Sequence, residues 1–280
     1  MKIVVDSNKL QSEALRMFLS NSTSNYAVLT DYTAMEAYKG DTLASIYKSM
    51  SILRDFPTKV IVLKSTRLVS GLRGRSAGLQ RRLIDNAQTD NFPSYVQQLY
   101  QAQRGDISIQ KLLLDHGREA TRHLDRMLVS NTTGTAIDDI AKLYSKEERR
   151  TIRLGETYSD DLIDKIVRNI FQIARLAFSN HPNVRKIPVY AELPNTFIFR
   201  VSLCIYLLAL DWGAKGGVRN ANQKTLRNDF VDMLFAAYAT YFDGLMTADA
   251  KLLRIHSKAR IWLMALFGCN LPEGLGHGFS

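Results

Sequence analysis

The chain begins with the stretch KIVVDSN at residues 2–8, and this stretch decides the fold. Lys2 to Val5 is a short run rich in β-branched residues, which predicts a strand buried on both faces. The run ends in Asp6, so a carboxylate stands where the strand meets the next loop. Ligands of open parallel sheets bind beyond the carboxyl ends of the strands. Asp6 is therefore a candidate for a functional site, and Ser7 or Asn8 is expected to cap the following helix.

Three more strands follow from the apolar runs at Tyr26 to Thr30, Lys59 to Lys64 and Gly244 to Thr247. Helical patterns separate the first three strands, and this β-α-β-α-β order predicts a parallel sheet with right-handed crossovers. Between the third strand and the last, the pattern is almost entirely helical, with Ile187 to Val189 as a minor strand candidate. A helix from about Asn228 to Tyr241 is expected to precede the last strand.

The predicted fold class is α/β. We expect a three-layer α/β/α arrangement around a central parallel sheet of about four to five strands, with a large all-helical insertion. Residues 1–66 and 213–268 form the split α/β core in this prediction, residues 67–212 form the helical insertion, and residues 269–280 form a flexible tail.

The composition favours a basic protein of the cytoplasm. The 280 residues carry a formal net charge of +10, which favours an acidic partner, most commonly nucleic acid. A basic protein without a polyanionic partner is the alternative. Cys204 and Cys269 lie in apolar surroundings and are too few for a zinc cluster or a disulfide framework. The longest apolar run, Phe197 to Leu210, is too short to cross a bilayer and predicts a buried helix rather than a membrane partner.

A set of acidic residues lies at the predicted strand ends and in the adjacent helices. Asp229 and Asp232 are three residues apart and share a helix face. Carboxylates brought together repel one another, and cations relieve that repulsion. Oxygen ligands of this kind suit Mg²⁺ or Mn²⁺. The candidate metal ligands are Asp6, Glu36, Asp232 and Asp249, with Asp229 as a possible fifth acid and Asp31 as a rival to Glu36.

These residues stand in an order that resembles the PIN-domain nucleases. The matching motifs are Val5-Asp6-Ser7-Asn8, the single acid Glu36, Asp232 followed by MLFAAYA, and Met246-Thr247-Ala248-Asp249. The resemblance implies that the four acids bind metal ions and that Asn8 and Thr247 orient them. It covers roughly residues 1–65 and 225–268. Typical members are about half this length, so the helical insertion departs from the family pattern.

Each acid also has a structural interpretation. Thr33 and Glu36 fit a capping box. Asp229 and Asp232 could favour a helix N-terminus, and Asp249 could do the same after Thr247.

Two basic segments are candidates for contact with nucleic-acid phosphates. The first also contains glycines that would loosen the backbone, and a solvated loop is its alternative interpretation. The second leads into the helix that carries Asp229. The candidate residues are Arg67, Arg73, Arg75, Arg81 and Arg82 in the first segment, and Lys215, Arg219, Lys224 and Arg227 in the second.

Two weaker patterns lie near residue 120. Arg118 and His123 have the R-x4-H spacing of the HEPN ribonucleases, a match that an arginine-rich chain can produce by chance. His116, Glu119 and His123 share one helix face, but no third strong ligand follows at zinc spacing, which favours a solvated helix surface.

The sequence predicts a divalent-metal-dependent endonuclease that cleaves phosphodiester bonds, of RNA in preference to DNA. The resemblance suggests a toxin, a defence effector or an RNA-processing factor, with an antitoxin or regulatory protein as a further partner and a dimer as a plausible state. One alternative is a structure-specific DNA nuclease of the same fold. The other is a non-catalytic nucleic-acid-binding or scaffold protein with a degenerate site.

Overall fold

The computed structural model of the chain describes residues 1–39, 42–126, 139–182, 184, 186–216 and 223–268. The predicted tail at residues 269–280 lies outside them. The four strands are β1 (Lys2–Val5), β2 (Tyr26–Leu29), β3 (Val60–Val62) and β4 (Gly244–Met246). The first seven helices are α1 (Glu13–Asn21), α2 (Asp31–Tyr38), α3 (Leu43–Ser49), α4 (Thr66–Ser70), α5 (Leu79–Leu83), α6 (Asn86–Gln103) and α7 (Ile107–Arg126). Further helices among the described residues are α8 (Lys146–Leu154), α9 (Asp160–Ser179), α10 (Phe197–Ala214), α11 (Gln223–Ala239) and α12 (Ala250–Phe267).

All four strands run parallel in one sheet of order β3-β2-β1-β4. The prediction of an α/β fold with a parallel sheet is therefore confirmed. The strand nearest the N-terminus pairs with the strand nearest the C-terminus, and Val5 lies opposite Met246 in that pairing. The carboxyl ends of β1 and β4 consequently meet at the same edge of the sheet.

Successive residues of the strands join two different hydrophobic clusters. Val4 and Val28 pack with residues of α9 to α12, whereas Val5 and Leu29 pack with residues of α1, α3 and α6. This is the alternation that a strand buried on both faces requires, because neighbouring side chains point to opposite faces. Helices α9 and α10 of the predicted insertion share the first cluster with the C-terminal helices, whereas α6 of the insertion belongs to the second.

Several local expectations differ from the structure. Residues 187–189 form no strand. The helix before β4 begins at Gln223 rather than near Asn228. Ser12 caps α1 by accepting a hydrogen bond from the Leu15 amide at 3.3 Å, so neither Ser7 nor Asn8 does. Both of those side chains bind carboxylates instead.

Helix α10 lies at the centre of the larger cluster. By length and composition it could also cross a membrane, and 78% of it is buried within the protein. It contains Arg200, whose side chain is fully buried. The guanidinium donates to the Pro194 carbonyl at 2.6 Å and to the Thr240 carbonyl at 2.6 Å. It also lies over the Tyr241 ring, 3.6 Å from the centroid. Arg200 therefore joins α10 to the end of α11, immediately before β4.

We predict that Arg200→Ala destabilises the protein by roughly 3 kcal/mol, because it leaves two buried carbonyls without donors and opens a cavity. Urea unfolding followed by circular dichroism measures the change. The exposed Arg168 on α9 is the matched control, and Arg168→Ala should alter stability by about 0.5 kcal/mol or less. Equal stability of the two variants would contradict the structural role of Arg200.

Candidate metal centre

The acids predicted at the strand ends lie around one edge of the sheet. Asp6 directly follows β1, and its amide donates to the Met246 carbonyl at 3.0 Å, which extends the pairing with β4 by one residue. Thr247 directly follows β4 and so lies beside Asp6. Glu36 belongs to α2, which begins just after the end of β2. Asp232 lies in the middle of α11, the helix that leads back to β4.

Asp6 is buried, with 4% of its surface exposed, and its orientation is set by two neighbouring side chains. Its Oδ2 atom accepts hydrogen bonds from Asn8 Nδ2 at 2.5 Å and from Thr247 Oγ1 at 2.6 Å. Its Oδ1 atom has only a 3.4 Å contact with Ser7 Oγ. Asn8 and Thr247 thus hold one oxygen of Asp6 and leave the other available, which agrees with the orienting role that the resemblance implied for them.

Glu36 faces Asp6 rather than the start of its own helix. Its Oε2 atom accepts a 2.5 Å hydrogen bond from Ser7 Oγ. Burial raises the pKa of Glu36, and the nearby charge of Asp6 raises it further, while Ser7 acts in the opposite direction. The capping-box interpretation is wrong, because Thr30 is the N-cap of α2 and the Thr33 hydroxyl donates to the Val5 carbonyl.

Asp31, the rival of Glu36, has a structural partner. Its two oxygens accept from the Thr66 amide at 2.7 Å and from the Thr66 hydroxyl at 3.0 Å. These bonds tie the start of α2 to the start of α4. Asp31 is therefore engaged in joining two elements, whereas Glu36 points towards Asp6.

Asp232 is the most electrostatically strained acid of the group. The pKa of Asp232 is raised to about 8, chiefly by burial; Lys251 acts in the opposite direction, and the charges of Asp249, Asp6 and Asp229 add to the increase. No hydrogen bond to the Asp232 carboxyl exists within the described part of the chain. The helix N-terminus interpretation is wrong for Asp232, because α11 begins nine residues earlier at Gln223.

Carboxylate oxygens of Asp249 and Asp229 accept hydrogen bonds from N–H groups of the protein. Asp249 is the N-cap of α12, and its Oδ1 atom accepts from the amides of Lys251 and Leu252 at 2.7 and 2.9 Å. The capping interpretation is therefore correct for one of its oxygens. Asp229 is buried and bonds Lys251 Nζ through Oδ1 and Trp212 Nε1 through Oδ2, the latter at 2.8 Å. Asp229 is thus a neutralised acid beside the others.

Within the described residues, no group of three or more His, Cys, Asp or Glu side chains has an arrangement that could hold a metal ion. The chemistry of the donors nevertheless fits a hard divalent cation. Asp232 has two oxygens without hydrogen bonds, and Asp6, Glu36 and Asp249 have one each that accepts weakly or not at all. Asp229 fits less well, because donors occupy both of its oxygens.

The predicted nucleic-acid-binding residues divide into exposed and engaged groups. Arg82 donates to the Arg73 carbonyl at 2.9 Å and to the Arg75 carbonyl. It therefore stabilises the conformation of the first basic segment. Arg227 is 7% exposed and pairs with Asp125 at 3.0 Å. Arg219 lies outside the described residues. The side chains exposed to solvent are Arg67, Arg73, Arg75, Arg81, Lys215 and Lys224.

The first basic segment is more tightly held than its glycines suggested. Gly74 is buried, and the Asn195 side chain donates to its carbonyl at 3.0 Å. A Cβ atom at Gly74 would lie 2.4 Å from the Glu192 carbonyl oxygen. This glycine therefore permits close packing rather than looseness.

The histidines of α7 line a cavity of about 320 Å³ against α2, with Met35 and Tyr38 on the opposite wall. Arg118, the arginine of the R-x4-H pattern, pairs with Asp115. Both histidines are exposed, which agrees with the interpretation of this helix face as solvated.

Three residues of the centre did not emerge from the sequence. Ser7 binds Glu36, and Lys251 and Trp212 bind Asp229. Ser7 stands inside the D-x-N motif, so its position could have indicated its role. Nothing in the sequence indicated Trp212, because its contact depends on how α10 packs against α11.

No protein-family model, curated protein or solved structure matches the chain. The resemblance to PIN-domain nucleases therefore rests on the four short sequence motifs alone.

The raised pKa of Asp232 predicts a specific pH dependence of stability. Between about pH 4 and pH 8, the folded protein holds a proton on Asp232 that the unfolded chain has released. The free energy of unfolding therefore falls as pH rises through this window, by at most about 1.4 kcal/mol per pH unit, and the loss is complete above pH 8. Asp232→Asn removes this contribution.

Urea unfolding in EDTA at pH 4 to 9 measures the difference between Asp232→Asn and the wild type. We expect the two proteins to have similar stabilities near pH 4 and the variant to be the more stable at pH 8. The exposed Asp164 is the control, and Asp164→Asn should follow the wild type. A constant difference across the range would show that the Asp232 pKa is not raised.

Proposed function

We propose that the protein is a divalent-metal-dependent endonuclease that cleaves phosphodiester bonds of RNA. The observation that carries this proposal is the electrostatic coupling of Asp232 to Asp6, Asp249 and Asp229 at the carboxyl edge of a parallel sheet. Buried carboxylates within reach of one another cost stability unless cations or protons neutralise them. A site where buried carboxylates lie close together despite this loss of stability is a candidate for function.

The proposed fold is the three-layer α/β/α arrangement expected from the sequence. Support comes from the alternation of Val4 and Val5 between two hydrophobic clusters, each of which contains helices. In such a fold the edge beyond the strand ends is the usual place for a ligand.

Asp6, Glu36, Asp232 and Asp249 would hold one or two Mg²⁺ or Mn²⁺ ions in this proposal. A bound ion of this kind supplies Lewis-acid chemistry, which makes water a stronger nucleophile and stabilises the negative charge that develops on the phosphate. Thr247 and Asn8 orient Asp6, and Ser7 orients Glu36. Asp232 would have to be deprotonated to hold such an ion, so cation affinity should rise with pH up to about 8.

The exposed basic residues would position the substrate strand. Arg67, Arg73, Arg75 and Arg81 follow β3 and so begin near the same edge of the sheet as the acids. Their charges neutralise phosphates without reading bases.

The main prediction is that Asp6→Asn and Asp232→Asn each lower the cleavage rate of a labelled single-stranded RNA in Mn²⁺ by at least roughly 100-fold, because each removes a charged ligand. Their thermal unfolding should remain cooperative. Asp164→Asn, an exposed acid on α9, should retain the wild-type rate. Full activity in either of the first two variants would refute the assignment.

A second prediction concerns Thr247, which holds Asp6 without being an acid. Thr247→Ala should weaken Mn²⁺ activation or activity by about 10- to 100-fold, as is typical when the partner of a metal ligand is lost. Thr247→Ser keeps the hydroxyl and should retain most of the activity. Initial rates measured across a Mn²⁺ titration separate the two variants, and similar rates for both would exclude an orienting role for the hydroxyl.

The same assay distinguishes the alternatives when single-stranded DNA and a flapped duplex are added. Preferential cleavage of the flapped duplex would favour a structure-specific DNA nuclease.

A non-catalytic nucleic-acid-binding protein is the second candidate, because the described acids do not themselves form a metal-holding group. Binding in EDTA combined with no cleavage of any substrate in Mn²⁺ would favour it.

A further inference from the structure

A cationic pocket lies between α8 and the C-terminal end of α10. Its volume is about 350 Å³. Four of its lining residues come from α8 and repeat at the helical spacing i, i+3, i+4 and i+7, which places them on one face. These residues are Lys146, Arg149, Arg150 and Arg153, and Lys215 completes the cationic wall. None of the described residues that line the pocket is acidic or aromatic.

Of the two acids of α8, Glu148 points away from this face. The other, Glu147, is exposed and lies close enough to Lys146 and Arg149 for their charges to help lower its pKa, after hydrogen bonds from its own amide and from Ser145. Glu148 accepts two hydrogen bonds from Lys165 of α9, both at 2.9 Å, and bonds the Ser145 amide in a capping box. Arg150 and Arg153 are exposed and form no ion pair with any described residue. Lys215 is the exception, because it pairs with Asp211 at 2.8 Å.

The pocket owes its shape to close packing at a glycine. A Cβ atom at Gly213 would lie 2.7 Å from the Cβ of Ala141, so only glycine permits this approach. The buried Ile152 anchors the opposite side of α8 in the larger hydrophobic cluster. The cationic face is therefore carried by a packed helix rather than by a loop.

Two consecutive residues of α10 connect the pocket with the candidate metal centre. Gly213 follows Trp212, whose indole donates to Asp229 at 2.8 Å, and Asp229 lies one turn from Asp232 on α11. The pocket and the acids are thus linked by adjacent residues of one helix end.

We propose that this pocket binds the phosphate backbone of a single-stranded nucleic acid whose scissile bond lies at the acids. This inference rests on the proposed nucleic-acid substrate and adds a subsite to it. Several cations on a rigid face match the regular spacing of charge along a strand. Without aromatic side chains to stack on bases, the pocket binds sequences without preference.

Fluorescence anisotropy with a labelled single-stranded RNA in EDTA tests the inference without requiring cleavage. The triple variant Arg149→Ala, Arg150→Ala, Arg153→Ala should bind at least roughly tenfold more weakly at 0.1 M KCl. The slope of log Kd against log salt should fall by about 2, since each phosphate contact in a single strand contributes about 0.7. The triple variant with Lys at the same positions keeps the charges and should bind nearly as well as the wild type.

The matched control removes three exposed cations elsewhere, with Arg104→Ala, Lys111→Ala and Arg175→Ala. Equal losses in the pocket and control variants would overturn the inference, because net charge alone would then explain binding. Displacement of the RNA by tripolyphosphate as effectively as by an unlabelled strand of equal phosphate content would also overturn it, in favour of a small-anion site. Thermal unfolding of each variant confirms that its fold is retained.

The proposed pocket and the proposed nuclease activity can be refuted independently of each other. Loss of binding in the pocket variant, together with no cleavage in Mn²⁺ by the wild type, retains the pocket and refutes the nuclease. Unchanged RNA binding by the pocket variant, together with cleavage that depends on Asp232, refutes the pocket and retains the nuclease.

Discussion

The parallel pairing of β1 with β4 is the constraint on which the candidate centre depends. It joins the two ends of a long chain, and the hydrogen bond from Thr247 to Asp6 connects residues 241 positions apart. Without this pairing, the N-terminal acids would not lie near the acids of the last two helices. Closing so long a loop is costly in entropy, and burial of apolar side chains in the two hydrophobic clusters compensates for it. Arg200 contributes directly, because it joins α10 to the turn that leads into β4.

The second constraint is electrostatic. Asp232 lies half-buried among three other carboxylates, and among the described residues Lys251 is the cation that compensates for its charge. Lys251 is shared, because it also bonds Asp229. The protein satisfies Asp6 and Asp249 with hydroxyl, amide and backbone donors rather than with cations. Hydrogen-bond donors hold a carboxylate in place without neutralising it, which preserves its affinity for a positive ligand.

The basic residues divide into those that stabilise the fold and those that face the solvent. The excess of +10 is not spread evenly. Some arginines serve the fold, as Arg82, Arg200 and Arg227 do. Other cations remain on the surface, where α8 gathers four of them on one face while its Glu148 turns towards Lys165. A surface of this kind raises the local concentration of a polyanion before any specific contact forms.

Local patterns in the sequence were sufficient for the four strands, because buried strands leave short-range signatures. They also nominated Asp6, Glu36, Asp232 and Asp249, whose role as metal ligands stays a prediction. They were insufficient where a residue's partner comes from a distant element. Asp31 and Glu36 look alike along the chain, yet one bonds Thr66 and the other bonds Ser7. Arg227 and Lys224 look alike too, yet one is buried against α7 and the other is exposed. Which segments become strands and helices can be predicted from the sequence, since this depends on neighbouring residues. Which charges are neutralised and which remain available can be seen only in the folded chain, since this depends on contacts between residues far apart in sequence.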